Sequence, residues 1–198
     1  SKWDKKSPFI NPMCGSGTLA IEAALMLQNT YPGYFRENYG FMHTMLFNSK
    51  SWQKVKLQAD QERLTGKTKF PPIIASDHDE KVLEAAKINA KAAGVDHLID
   101  FQLSDFRKTK LPSTDKGIII LNPEYGERLG QEAGLRDTYK AIGDFFKKEC
   151  AGYTGYIFTG NLELAKSVGL RTARRIEFYN ARIDCRLLEY ELYAGSRR

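Results

Sequence analysis

Two glycines near the start of the chain could bring backbone close to a ligand. Gly15 and Gly17 follow a short apolar run and lead into a helical pattern in the stretch "INPMCGSGTLAIEAAL". The spacing excludes a nucleoside-triphosphate loop, because the Gly-Lys-Thr at 66–68 has Gln61 where that motif needs its first glycine. A nicotinamide cofactor is disfavoured as well, since the second predicted strand arrives only near residue 72.

A carboxylate follows each of the next two predicted strands. Asp77 ends the second strand, where it can bind the hydroxyls of a ribose, and Asp105 follows the third, where it can bind an adenine amino group. Phe106 stands beside the expected adenine ring, and His78 is expected in a loop over the same pocket. Together with the glycine turn, these positions favour S-adenosylmethionine as the ligand.

The sequence Asn122-Pro123-Glu124-Tyr125 follows the most apolar predicted strand. The Asn122 side-chain carbonyl and the Pro123 backbone carbonyl can accept both N–H bonds of an exocyclic base amine, and this aims the nitrogen lone pair at a methyl group. Tyr125 offers a ring on which the base can stack. An Asn-Pro turn alone would mark a loop, but with the glycine turn and Asp77 it predicts a methyl-transfer site.

Strand and helix patterns alternate along the chain. Strands are predicted at 7–10, 71–77, 97–103, within 116–126, at 152–160 and as a hairpin within 174–193. Helices are predicted at 18–28, at 51–64 behind a serine cap, at 80–93 and at 135–150. This order predicts an α/β domain with a mostly parallel, seven-stranded sheet, an antiparallel end and helices on both faces. One domain, 1–198, is expected, with an insertion at about 29–72 whose aromatic residues favour packing onto the core.

Composition and charge limit which partners and which cellular compartment are expected for this chain. The 198 residues are 42% hydrophobic, and the formal net charge of +6 is partly concentrated at 107–110, 171–175 and 197–198. RNA is therefore a plausible partner, although solvated surfaces carry such clusters too. The apolar runs are too short to span a bilayer, so no membrane is expected. Three cysteines without metal-like spacing, and an N-terminus unlike a signal peptide, favour the cytoplasm. The histidine spacing implies no metal.

Four blocks together resemble the THUMP-associated RNA guanine-N2 methyltransferases, bacterial enzymes that methylate a guanine amine in large-subunit ribosomal RNA. They are "NPMCGSGTLAIEAAL", "ASDHDEKVLEAAKINAKAAG", "NPEYGERLG" and "FYNARIDCRLLEYEL", and the similarity extends from Pro8 to Tyr193. The resemblance implies a Rossmann-like class I fold. It also implies that the S-adenosylmethionine site is lined by Asn11, Cys14, Gly15, Gly17, Asp77 and Asp105, and the amine site by Asn122, Pro123 and Tyr125.

The chain departs from the family pattern at Asn11, where the family usually has Asp, and at Glu124, where it usually has Pro. The resemblance also implies an RNA-binding THUMP module upstream in the full-length protein. The expected activity is methyl transfer to an exocyclic amine of an RNA base, with guanine N2 of large-subunit ribosomal RNA favoured. Two alternatives stay open: an adenine-N6 methyltransferase acting on DNA or RNA, and a catalytically silent RNA-binding domain of the same fold.

Overall fold

The computed structural model describes residues 1–63, 69–114, 116–125, 132–180 and 183–195. Seven strands are present: β1 Phe9–Pro12, β2 Ile73–Asp77, β3 Ile99–Leu103, β4 Gly117–Leu121, β5 Tyr153–Thr159, β6 Arg174–Asn180 and β7 Ile183–Glu191. The α-helices are α1 Thr18–Leu27, α2 Ser49–Glu62, α3 Glu80–Ala92, α4 Glu132–Glu149 and α5 Leu162–Lys166.

The strands form one sheet in the order β3-β2-β1-β4-β5-β7-β6. The first five strands along the chain are parallel, and β7 pairs antiparallel with both β5 and β6. The prediction of a mostly parallel sheet with an antiparallel end is confirmed. Because parallel strands end at the same edge, the carboxyl ends of β1 to β4 lie side by side, where ligands bind in such sheets.

Apolar side chains fill the core on both faces of the sheet, as the α/β pattern predicts. Along β4, Ile118 and Ile120 pack with α1 and α3 on one face, whereas Ile119 and Leu121 pack with α4 on the other. This alternation follows from the two-residue period of a strand. Every residue of β4 is buried, as expected for a central parallel strand covered by helices.

Several predicted boundaries differ from the structure. β1 continues to Pro12, past the predicted end at Ile10, because its pairing with β2 extends to Pro12 opposite Ser76. The cap of α2 is Asn48, whose side-chain oxygen accepts from the Ser51 N–H, so the helix begins before the predicted start. The predicted end of this helix at residue 64 lies outside the described residues. The short helix α5 is absent from the prediction.

The segment between α1 and β2 does not pack as predicted. None of the α2 residues, all within the described chain, is buried. Trp52 instead contacts the rings of Tyr39 and Phe41, with centroids 5.6 and 5.2 Å away, so these aromatics pack on one another. Phe70, just before β2, does pack against the main core. Among the described helices, none combines the length and apolar character needed to cross a bilayer.

Candidate functional site

The turn after β1 has a backbone that suits glycine. Gly15 and Gly17 have φ values of +57° and +84°, a region that L side chains rarely adopt. A Cβ on Gly17 would lie 3.0 Å from the Ala86 Cβ, so this glycine allows α1 and α3 to approach. A Cβ on Gly15 would meet no described atom within 4 Å, so the space beside Gly15 is open to a ligand.

Asp77 joins the ends of three strands. Its Oδ2 accepts a hydrogen bond from the Gly15 N–H at 3.0 Å, and its Oδ1 accepts from the Asp79 N–H at 3.1 Å. Its backbone carbonyl accepts from the Ser104 N–H, just past β3, at 2.9 Å. The side chain is 10% exposed. Since each carboxylate oxygen has two lone pairs, Asp77 can hold the glycine turn and still accept bonds from a ligand.

Asn11 is buried, and only one of the two polar atoms of its side-chain amide has a hydrogen-bond partner among the described residues. Its Nδ2 donates to the backbone carbonyl of Ile120 at 2.9 Å, which ties β1 to β4. This bond fixes the amide orientation, and within the described part of the chain Asn11 Oδ1 has no hydrogen-bond partner. A buried acceptor without a partner costs free energy, so it marks a position where a ligand donor could bind.

Cys14 is buried in the glycine turn, and its chemistry is that of a small apolar neighbour. Burial, and then the nearby Asp77 charge, raise the pKa of the thiol to about 12. The thiol therefore stays protonated at neutral pH, as expected for a cysteine that is not a nucleophile.

Asp105, Phe106 and His78 lie at the same edge of the sheet, but their side chains differ in how firmly they are held. The Arg107 guanidinium holds the pKa of Asp105 at about 2, and Arg107 Nε donates to its Oδ1 at 2.8 Å. Phe106 packs edge-on against Phe145 of α4 at a centroid distance of 5.9 Å. The His78 side chain is 77% exposed, with Nδ1 3.5 Å from Asp77 Oδ1. Asp105 thus remains an ionised acceptor, whereas Phe106 is partly engaged by the core.

The loop after β4 presents the predicted amine-binding residues. Asn122 is exposed, Pro123 is buried and Tyr125 is half-buried. The Tyr125 carbonyl accepts from Asn161 Nδ2 at 3.4 Å, and a Cβ on Gly160 would lie 3.0 Å from two atoms of the Tyr125 ring. The loop therefore rests on the turn after β5.

The structure brings the predicted site residues to the carboxyl edge of β1 to β4, although their roles stay predictions. Sequence reasoning missed Gly160 and Asn161, although an Asn directly before a short apolar-polar segment is a helix-cap signal. In the described ranges, no group of three or more His, Cys, Asp or Glu side chains could hold a metal ion.

A family model matches residues 1–189, and it is described as UPF0020, the RMKL-like methyltransferase domain. The chain is 37% identical over 187 residues to a ribosomal RNA large subunit methyltransferase K/L of Syntrophotalea carbinolica, covering 93% of this chain and 26% of the relative. It is 39% identical over 194 residues to the protein of that name from Vibrio cholerae, covering 97% of this chain and 27% of the relative. The chain thus spans about a quarter of the length of these curated relatives.

Solved structures share the fold. A possible methylase from Clostridium difficile superposes with a TM-score of 0.86 at 28% identity, covering 100% of this chain and 51% of that one. A structure described as a predicted N6-adenine-specific DNA methylase, from Listeria monocytogenes, superposes with a TM-score of 0.78 at 27% identity, covering 98% of this chain and 48% of that one.

Proposed function

We propose that this chain, which belongs to the UPF0020 family of RMKL-like methyltransferase domains, transfers a methyl group from S-adenosylmethionine to an exocyclic amine of an RNA base. The target that we infer is guanine N2 in large-subunit ribosomal RNA. The relatives named above support RNA as the substrate class, because both are named ribosomal RNA large subunit methyltransferases.

One observation carries this proposal: the Asn11 side chain ties β1, which leads into the glycine turn, to β4, which leads into the loop that holds Asn122, Pro123 and Tyr125. Asn11 Nδ2 binds the carbonyl of Ile120, two residues before Asn122, while Asp77 holds the turn through Gly15. A nucleoside bound against Gly15 and Asp77 would therefore lie next to a base bound at Asn122. Such proximity supplies much of the rate in a bimolecular transfer.

The residues present fit S-adenosylmethionine. Asn11 Oδ1, which is buried and has no partner in the described chain, could accept a bond from the methionine ammonium. The open space beside Gly15 would admit the methionine moiety, and Asp77 would bind the ribose hydroxyls. When bound, this cofactor supplies a methyl group on a positively charged sulfur.

Asn122 and Pro123 would orient the amine. By accepting its two N–H bonds, these residues would aim the nitrogen lone pair at the methyl group that bound S-adenosylmethionine would supply. The amine becomes acidic as it is alkylated and then loses a proton to water, which is why no strong base is required. Tyr125 would hold the base in plane by stacking, an interaction worth about 1 to 3 kcal/mol.

Nucleoside analysis tests this function directly. The chain is incubated with methyl-labelled S-adenosylmethionine and either ribosomal RNA or DNA, and the products are digested and separated. N2-methylguanosine from RNA is the expected product, and its formation should be lost in Asn122→Ala. Label appearing in N6-methyladenine would instead support the alternative that the methylase from Listeria monocytogenes suggests by its description. Absence of labelled product with intact cofactor binding would favour the silent RNA-binding domain.

The proposal includes an RNA-binding THUMP module elsewhere in the full-length protein. It is supported by the family resemblance and by the small share of the relatives' length that this chain covers. If that module supplies most phosphate contacts, the full-length protein should bind RNA more tightly than this chain, with similar cofactor affinity. We place the reaction in the cytoplasm, in keeping with the three buried free cysteines.

A further inference from the structure

We propose that Gly160 and Asn161, the turn after β5, are positioning residues that set the place of the Tyr125 ring in the amine site. This inference rests on the proposed function, because it assumes that Tyr125 stacks on the target base. The two residues touch Tyr125 at different points. Gly160 lies against its ring, and Asn161 holds its backbone carbonyl.

Gly160 leaves room that any other residue would fill. A Cβ at this position would lie 3.0 Å from both Cδ2 and Cε2 of Tyr125, and 2.8 Å from Cγ2 of Ile183 at the start of β7. The methyl group on Ile183 is attached directly to its Cβ, so it cannot swing away easily. A side chain at 160 would therefore push the Tyr125 ring away from the hairpin formed by β6 and β7.

Both polar atoms of the Asn161 side-chain amide make hydrogen bonds. Its Oδ1 accepts from the N–H groups of Glu163 and Leu164 at 3.1 and 3.0 Å, which caps α5. This fixes the amide orientation and directs Nδ2 to the Tyr125 carbonyl at 3.4 Å. That bond is long for N–H···O, so we assign it a smaller share of the positioning than the ring contact at Gly160.

The turn itself is anchored in the core. Thr159 Oγ1 accepts from the Asn161 N–H at 3.0 Å and shares a hydrogen bond of 2.7 Å with the Tyr139 hydroxyl of α4. Thr159 and Tyr139 are completely buried. A buried, satisfied hydrogen-bond network is rigid, so the turn is a firm support for the loop. The stacking residue is thus held by β5 and α4, whereas Asn122 follows directly on β4.

The matched pair Gly160→Ala and Gly155→Ala tests the inference. Both glycines lie at or just after β5, and a Cβ on Gly155 would crowd an aromatic ring of the core, 2.8 Å from Phe146 Cε2. We expect Gly160→Ala to lower kcat/KM for RNA methylation by about tenfold or more, because small misplacements near the reacting atoms have large effects. Gly155→Ala should lower stability but leave kcat/KM of the folded fraction largely unchanged. Both should keep the parent affinity for S-adenosylhomocysteine.

A second variant isolates the amide contact. Asn161→Ser keeps an oxygen that can cap α5, but its side chain is too short for the hydroxyl to take the place of Asn161 Nδ2 beside the Tyr125 carbonyl. Because this bond is long, its loss should lower kcat/KM by only about twofold, the lower end of what one hydrogen bond contributes. Asn161→Ala, which loses the cap as well, should be less stable than Asn161→Ser, and the two should have similar kcat/KM.

A ¹⁹F NMR measurement of the Tyr125 ring tests the inference without an activity assay. With 3-fluorotyrosine incorporated, the ¹⁹F resonance of Tyr125 is assigned by its loss in Tyr125→Phe. This resonance should shift in Gly160→Ala and stay in place in Gly155→Ala. An unshifted Tyr125 resonance in Gly160→Ala would overturn the inference whatever the activity.

These variants also distinguish a failure of the inference from a failure of the proposed function. In a Tyr125→Ala background, adding Gly160→Ala should lower kcat/KM no further, because the ring that it displaces is gone. Equal effects of Gly160→Ala with and without the ring would contradict positioning through Tyr125. If Tyr125→Ala itself keeps the parent rate, the proposed amine site is wrong, and the ¹⁹F shift still reports on whether Gly160 positions the ring.

Discussion

Asp77→Asn is the substitution that tests the cofactor site most directly. The carboxylate is nearly buried and already accepts the N–H groups of Gly15 and Asp79. An amide has the same shape, so it leaves little empty space. However, it removes the negative charge and replaces one acceptor oxygen with an NH₂ group that cannot accept from either backbone N–H.

The expected loss follows from the bonds to the ribose hydroxyls. Bonds to a charged acceptor contribute about 1.5 to 3 kcal/mol, whereas neutral ones contribute about 0.5 to 1.5 kcal/mol. Loss of the charge from one ribose bond costs about 1 to 1.5 kcal/mol, and loss of the acceptor from the other costs about 1.5 to 3 kcal/mol, so the total is about 2.5 to 4.5 kcal/mol. The Kd for S-adenosylhomocysteine should therefore rise by about 70- to 2000-fold.

Calorimetric titration measures this Kd, and Asp79→Asn provides the control. Asp79 lies two residues away and caps α3 through Oδ1, which accepts from Lys81 N–H at 2.8 Å. Its amide variant keeps an oxygen for the cap and removes the same charge, so its Kd should stay close to that of the parent. Equal losses in the two variants would mean that general electrostatics, and not contact with the ribose, accounts for the effect. An unchanged Kd in Asp77→Asn would refute the ribose assignment.

Three further predictions concern neighbouring residues. Asn122→Ala should reduce methyl transfer by about 100-fold or more while leaving the Kd for S-adenosylhomocysteine unchanged, since it removes an orienting acceptor for the amine; a nearly parental rate in a radiolabel assay would place the amine site elsewhere. Gly17→Ala should lower the free energy of unfolding, measured in urea, by about 1 to 3 kcal/mol, because φ at this position is +84° and the added Cβ would press on Ala86. Gly15→Ala should lower it by less, because a Cβ there meets no described atom within 4 Å, and equal losses would contradict this packing argument. Cys14, with a pKa raised to about 12, binds its proton more tightly in the folded chain than in the unfolded one, so its contribution to stability is present below its unfolded pKa and is lost as pH rises towards about 12. Its alkylation at about pH 8 should therefore be slow until urea unfolds the chain, and rapid labelling of the folded protein would contradict burial.

The glycine turn and the strand ends around it could be predicted from sequence because their signals are local. Gly15 and Gly17 sit between an apolar run and a helix pattern, and Asp77 ends an apolar strand. Each of these patterns lies within a few residues. The exact end of β1 was not predictable in this way, since it depends on pairing with β2, more than sixty positions later.

The contact between the turn after β5 and the loop after β4 was not predictable either, because it joins residues that are distant in sequence. Gly160 and Tyr125 are far apart in sequence, and a glycine next to an asparagine cap reads as an ordinary turn. Their contact depends on the sheet order, which sets β5 beside β4. Likewise, the aromatic residues of 29–63 have the composition of a core, and composition alone does not tell whether they pack on the main sheet or on one another.

The amide at position 11 keeps an acceptor oxygen where the family resemblance implies a charged Asp. In this chain an Asp would place one acceptor oxygen against another acceptor, the carbonyl of Ile120. Asn11 donates to that carbonyl at 2.9 Å, and its Oδ1 remains the atom without a partner in the described chain. The exchange therefore removes a charge and keeps an acceptor, a difference of about 1 kcal/mol in a bond to an ammonium. Asp77 carries a charge and also holds Gly15, so we expect neutralisation of Asp77 to weaken cofactor binding by more than this difference at position 11.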